Sequence, residues 1–372
     1  MIRVIILIMG LIVALPAADE VKIIKDPKPT CVEKEYRRLV KVKELKEDEN
    51  SEDFLVSPIS LVVDARGHIF AFDVAQARIF QYDPDLNLVR TFGRRGQGPG
   101  EFGWSGHAYV QLFLRGNEIY LPDSYNRKIL CFNTEGELVK EIPIKSRGLE
   151  NRSVSLDQSG NLYLHSDNFP GNPHCIDCLD CRGNLLRGFL ARSNLRIGLF
   201  VEFKMKSHAV GQRGHVRKMP NSWYAYVHEW FPLIAVNSSG HLLAYSSASG
   251  MLWVFHEGRL KETLRLWPGK ALMDYRETAI EDAKAAGMFS PFFSDLILDG
   301  DHANRFFLNY GNFRNGKENY LYQFDLSGKL IRVYSIPNLS RSVVQVKYKR
   351  HKKFYALDRN NFNNFTIRVF GE

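Results

Sequence analysis

Ser60-Leu61-Val62-Val63-Asp64-Ala65-Arg66-Gly67-His68-Ile69-Phe70-Ala71-Phe72-Asp73 is the stretch that decides the fold class. Two short apolar runs flank a Gly turn, and each is too short for a helix of ordinary length. The pattern continues outward through Arg78-Ile79-Phe80-Gln81-Tyr82-Asp83, a turn, and Leu88-Val89-Arg90-Thr91-Phe92-Gly93. Alternation between turn residues predicts four half-buried strands in a meander.

The same sentence recurs downstream. Gly116-Asn117-Glu118-Ile119-Tyr120, Gly160-Asn161-Leu162-Tyr163 and Gly240-His241-Leu242-Leu243 repeat the turn and the second strand. Arg305-Phe306-Phe307-Leu308 and Phe354-Tyr355-Ala356-Leu357-Asp358 repeat the strand in two further units. Self-similarity at this spacing is the signature of a repeat architecture whose units bury their faces against one another. The last unit is one strand short, and Leu39-Val40-Lys41-Val42-Lys43-Glu44-Leu45 has the alternation of the missing one. The expected fold is therefore all-β, a six-bladed β-propeller closed by an N-terminal strand, which removes open sheet edges. A helical insertion over residues 271–288 is expected between blades four and five, on the apolar positions Leu272, Tyr275, Ile280 and Ala283.

Composition agrees with a globular chain. Of 372 residues, 45% are hydrophobic and 24% charged, which excludes wholesale disorder and collagen-like order. Aromatics reach 12%, which favours strands. Arg3 precedes an apolar run over residues 4–15 and the small residues Pro16-Ala17-Ala18, the pattern of a secretory signal and too short to span a bilayer. The expected organisation is a signal over 1–18, an extension over 19–34 and one propeller over 35–372. Export, with no membrane span after cleavage, follows.

Thr91-Phe92-Gly93-Arg94-Arg95-Gly96-Gln97-Gly98-Pro99-Gly100-Glu101-Phe102 resembles the linker signature of bacterial six-bladed propellers of the NHL-repeat type. The Gly-Asn-(Ile/Leu)-Tyr turns and the Arg-Ile-x-x-(Phe/Tyr)-(Asp/Asn) strands are similar to that family's repeat. The resemblance implies the fold over nearly all of residues 35–372. For function it implies a binding platform, and in some similar propellers a metal-dependent lyase or lactone hydrolase.

In a four-stranded meander, the loops between strands two and three share a face with the connectors to the next blade. Three long segments fall on that face, at 93–107, 191–231 and 267–292, and long loops on a rigid scaffold are where function concentrates. The first carries Arg94, Arg95 and Trp104; the second carries Lys204, Lys206, His208, His215, Arg217, Trp223 and Tyr226. Asp123, Asn126, Asn309 and Asp358 crown the same face from the loops between strands two and three. Such basic and aromatic residues suit a small anionic ligand or a protein partner. The acids and amides could instead hold a divalent cation in the channel, or hydrogen-bond their own turns.

Other constellations point to structure. Cys175, Cys178 and Cys181 have a spacing familiar from metal sites, but they fall on the third strand of a blade, where alternation turns Cys178 away from the other two. Buried thiols or one disulfide are expected there. Lys347-Tyr348-Lys349-Arg350-His351-Lys352-Lys353 is basic, but it lies at a hairpin, and an exported protein rarely meets DNA, so nucleic acid is not the expected partner. No Gly-x-Ser-x-Gly, phosphate-loop or His-Glu-x-x-His motif is present. The expectation is a monomeric, exported, non-enzymatic binding propeller without a cofactor. The alternative is the metal-dependent enzyme with its site at the channel. The net charge of +9 then reads as local patches on a disc.

Overall fold

The computed structural model describes residues 22–23, 36–45, 53–103, 110–145, 154–165, 174–191, 233–246, 251–266, 293–299, 302–310, 318–337, 344–348, 352–359 and 365–371. Within them the chain forms six antiparallel meanders, the blades of a β-propeller. Blade 1 is Pro58–Val63, Ile69–Asp73, Arg78–Tyr82 and Leu88–Phe92, close to the strand limits read from the sequence. Blade 2 starts at Phe113–Arg115, blade 3 at Val154–Leu156, blade 4 at Leu233–Val236, blade 5 at Phe293–Leu298 and blade 6 at Val344–Tyr348. Each of these first strands lies beside the first strand of the next blade, and Val344–Tyr348 lies beside Pro58–Val63. The innermost strands thus form a continuous ring.

Burial corrects one expectation. The second strands are not half buried: Ile69, Phe70, Ala71 and Phe72 are all fully enclosed. Alternation sends Ile69 and Ala71 into a cluster with Tyr355, Leu357 and Ile367 of blade 6. Phe70 and Phe72 enter a second cluster with Phe102, Ile119 and Leu130 on the blade 2 side. Six such clusters occur, and each joins two neighbouring blades. A blade has no core of its own, so both strand faces must be apolar. At ~2–3 kcal/mol for each buried Phe, the stabilisation resides between blades.

Three short N-terminal strands lie on the outer rim. Lys22–Ile23 pairs parallel with Arg259–Arg265, the outermost strand of blade 4. Arg37–Arg38 pairs parallel with Leu330–Pro337, the outermost strand of blade 5. Val40–Glu44 then pairs antiparallel with Phe365–Gly371 as the fourth strand of blade 6. No helix among the described residues is long and apolar enough to cross a membrane. The segments 1–18 and 271–288, expected as a signal and a helix, lie outside the described residues.

Candidate functional site

The two ends of the disc are built by different chemistry. At one end lie the turns between strands one and two and between strands three and four. There Asp64, Asp83, Asn133, Asp180, Asn237 and Asp325 each accept the backbone amides two and four positions on, at 2.8–3.1 Å. This is an Asx turn, and it explains why acids and amides recur at these positions.

At the other end the second strands finish on buried carboxylates. Asp73 Oδ2 accepts the amides of Val56 and Ser57 at 2.6 and 2.7 Å, and its Oδ1 accepts that of Gln76 at 3.1 Å. Asp123 repeats the arrangement. Its Oδ2 accepts the Gly103 amide at 2.9 Å and Asn126 Nδ2 at 2.7 Å, and its Oδ1 accepts the Asn126 amide at 3.0 Å. Burial pushes the Asp123 carboxyl above the ordinary carboxylate range, against the pull of those donors. Asp358 is fully buried and bonded by Arg368 Nη1. Asp73 and Asp123 each tie a connector to the loop it passes, whereas Asp358 and Arg368 join two strands within blade 6.

The Gly-rich connector from blade 1 to blade 2 is held most densely. Arg94–Arg95 pairs parallel with Glu101–Phe102, folding the intervening residues into a tight loop. Arg94 Nε donates to Glu101 Oε1 at 2.7 Å, and Arg95 Nη2 donates to the Ala75 carbonyl at 2.8 Å. Asn126 Nδ2 reaches the Gly96 carbonyl at 2.9 Å. Lys128 Nζ donates to the Gly98 carbonyl at 2.8 Å and to Glu141 Oε1 at 2.7 Å, while Glu141 Oε1 also accepts the Gly100 amide at 2.9 Å. The Gly98 amide, against a small effect of desolvation and with help from Arg94, holds Glu101 below the ordinary carboxylate range. The loop therefore has a fixed shape. The Arg94 side chain, 74% exposed, stands out from it, and beside it Tyr125, 53% exposed, projects from the turn between the second and third strands of blade 2.

Four of the residues singled out from sequence meet here: Arg94, Arg95, Asp123 and Asn126. Asn309, at the end of a blade 5 strand, and Asp358, in blade 6, are buried elsewhere on the ring. Trp104, Lys204, Lys206, His208, His215, Arg217, Trp223 and Tyr226 lie outside the described residues. Glu101, Lys128 and Glu141 were not anticipated. A trace of Lys128 was available, because Arg78 opens the third strand of blade 1 where Lys128 opens that of blade 2. Arg78 likewise reaches a connector residue, Asp53, at 3.5 Å.

Among the described residues, no three His, Cys, Asp or Glu side chains gather as a metal site. His174–Leu179 is the third strand of blade 3, with Cys175 and Cys178 buried and Cys181 exposed just beyond it. All three are free thiols.

A family model, DUF5128, described as a 6-bladed beta-propeller, matches residues 42–176, which cover blades 1 and 2 and most of blade 3. No curated protein matches the chain. Among solved structures, a candidate exported protein of Bacteroides fragilis NCTC 9343 is similar at a TM-score of 0.52 and 11% identity, over 91% of this chain and 98% of that one. A member of the DUF4221 family from Bacteroides vulgatus ATCC 8482 is similar at 0.53 and 11%, over 90% and 97%. Virginiamycin B lyase from Staphylococcus aureus gives 0.47 and 10%, over 88% and 98%, a likeness too low to carry an argument about chemistry. At these identities the likeness is one of fold.

Proposed function

We propose that this chain is an exported, non-enzymatic binding propeller whose loop-rich face takes a small anionic ligand or an acidic surface of a partner. One observation carries the reading. On that face the carboxylates Asp73, Asp123 and Asp358 are engaged by amides and by Arg368, while Arg94 of the fixed connector and Tyr125 of the adjoining blade 2 turn stand exposed. A pre-shaped face with an exposed guanidinium and ring loses little entropy on binding, and a guanidinium matches an oxyanion in two directions. The basic and aromatic residues of 191–231 belong to the same reading. Export rests on the segment 1–18, ring closure on the pairing of Val40–Glu44, and the NHL-type repeat on the Gly-Asn-(Ile/Leu)-Tyr turns.

Titration of the isotope-labelled mature chain with a sulfated disaccharide tests the proposal. The amides of Gly96, Gly98 and Gly103 and the Tyr125 resonances should shift saturably, and a neutral disaccharide should leave them unmoved. Substitution of Arg94→Ala together with Arg95→Ala should abolish the shifts while the far-ultraviolet spectrum is retained. Shifts confined to other residues, or untouched by the double substitution, would sink the reading.

A further inference from the structure

Blade 5 departs from the turn that blades 1, 3 and 4 share. In blades 1, 3 and 4 the turn between the first two strands closes with an amide-to-carbonyl bond across four positions: Asp64 N to His68 O at 2.9 Å, Asp157 N to Asn161 O at 3.1 Å, and Asn237 N to His241 O at 3.0 Å. The closing side chain then folds back over its own turn. His68 Nδ1 lies 2.9 Å from Asp64 Oδ2, Asn161 Nδ2 donates to Asp157 Oδ2 at 2.8 Å, and His241 Nδ1 lies 2.9 Å from Ser239 Oγ. In blade 5 the equivalent bond runs from Asp299 N to Arg305 O at 3.2 Å, across six positions. Asp299 Oδ2, which would be the receiver, is taken by Gln323 Nε2 at 2.7 Å.

A pocket of about 660 Å³ lies between residues 302–305 and the turn joining strands three and four. His302, Asn304, Arg305, Asp325 and Lys329 line it with Leu330 and Ile331. That volume is within the range of small-molecule sites. Arg305 faces Asp325 in the strand register, yet no ion pair joins them. Asp325 Oδ1 is instead occupied by the Ser327 and Lys329 amides, at 2.9 and 3.0 Å, and by the Ser327 hydroxyl at 2.6 Å. Among the described residues, Arg305, Lys329 and His302 have no side-chain partner. The wall is nonetheless fixed: Asn237 Nδ2 of blade 4 bonds the Ala303 carbonyl, and Leu326 N bonds the Asn304 carbonyl at 3.1 Å.

We propose that this pocket is a binding site for a small oxyanion-bearing ligand, a sulfate, phosphate or carboxylate head on a short apolar body. Arg305 and Lys329 hold the head with charge-assisted hydrogen bonds, Asn304 and His302 add donors, and Leu330 and Ile331 cover the body. The site lies at the end of the disc opposite the loop-rich face and stands independently of the function proposed for that face.

Phenyl phosphate is the probe, with benzyl alcohol as its uncharged counterpart, titrated calorimetrically into the mature chain at low ionic strength. Saturable binding of phenyl phosphate alone is expected. Arg305→Gln should weaken it about tenfold, the loss of one charge-assisted hydrogen bond, and Lys329→Gln by a similar factor. Lys329 is exposed, so its substitution keeps the test available if Arg305→Gln fails to fold. Arg94→Ala with Arg95→Ala should leave the affinity unchanged. Absent binding, equal binding of benzyl alcohol, indifference to both blade 5 substitutions, or loss on substitution of Arg94 and Arg95 would each overturn the proposal.

Discussion

Arg368 Nε and Glu44 Oε1 lie 2.7 Å apart although 324 positions separate them in the chain. The same guanidinium bonds the fully buried Asp358 through Nη1, so one side chain joins the last three strands of blade 6. Burial acts to raise the Glu44 pKa, but hydrogen bonds from Lys41 and Arg368 outweigh it and hold the carboxyl below its ordinary value.

A depressed folded pKa contributes stability that is present above the unfolded value near 4.5 and is lost as pH falls through the folded value. Glu44→Gln should therefore lower the urea midpoint at neutral pH. Its deficit against the parent should shrink below about pH 4.5. A deficit that is constant from pH 7 to pH 3 would show that ionisation of Glu44 is not involved.

Arg368→Met should cost more. It leaves Asp358 enclosed without its guanidinium, and breaking a buried pair from one side costs about 3 kcal/mol. Equilibrium urea unfolding of the single variant measures it. A loss under about 1 kcal/mol would place the pair among surface bridges of little consequence.

Asp123→Ala removes the acceptor for Gly103 N, Asn126 N and Asn126 Nδ2. With the Gly103 amide buried, about 2 kcal/mol of destabilisation is expected. Hydrogen exchange should quicken at Gly103 and Asn126 before it does at Ile119 or Leu121. Uniform quickening across blade 2 would mean that the carboxylate supports the whole blade and not the connector.

Two glycines separate backbone strain from collision. Gly116 has φ +57° and open space where a Cβ would go, so Gly116→Ala should cost about 1 kcal/mol. Gly183 has φ +77°, and a Cβ there would run into the Pro143 carbonyl of the neighbouring blade. Gly183→Ala should cost about 3 kcal/mol, because backbone at a blade interface yields little. Equal losses in thermal unfolding would show that the interface relaxes.

Thiol reactivity should sort by burial. Cys131 is enclosed, and burial pushes its thiol up to about 11; burial raises Cys178 as well. Iodoacetamide at pH 8 should modify Cys181 and spare Cys131, Cys175 and Cys178 until denaturant is added. Mass spectrometry of the digested protein reads the result, and early labelling of Cys178 would contradict the closed third strand of blade 3.

The blades were legible because their code is local. Asp64 and Gly67 specify a turn within five residues, and Ile69 through Asp73 specify a strand, whose enclosure on both faces comes from the neighbouring blades. The rim strands Lys22–Ile23 and Arg37–Arg38 carry no such code. They are two residues long, Arg37 and Arg38 are exposed, and neither pair has the apolar alternation that marks a blade strand. The site was legible in position more than in role. The repeat located Asp123 and Asn126, but their partners Gly96 and Gly103 come from a connector whose path depends on Glu101, Lys128 and Glu141. The enlarged blade 5 turn could have been noticed, since Asp299 and Arg305 are two positions farther apart than Asp64 and His68. Only the packed structure shows that a pocket lies beneath it.

The pairings of Lys22–Ile23, Arg37–Arg38 and Val40–Glu44 set an order of events during synthesis. These strands leave the ribosome ahead of every strand they pair with, and their partners belong to the three blades made last. Through most of translation they have no seat, and blades 1 to 3 must mature without them. Val40–Glu44 can be seated only when the last strand, Phe365–Gly371, is in place, which makes its pairing a proofreading step: a chain cut short before blade 6 would leave Val40–Glu44 without a partner strand, available to a protease or a chaperone as the mark of an unfinished propeller.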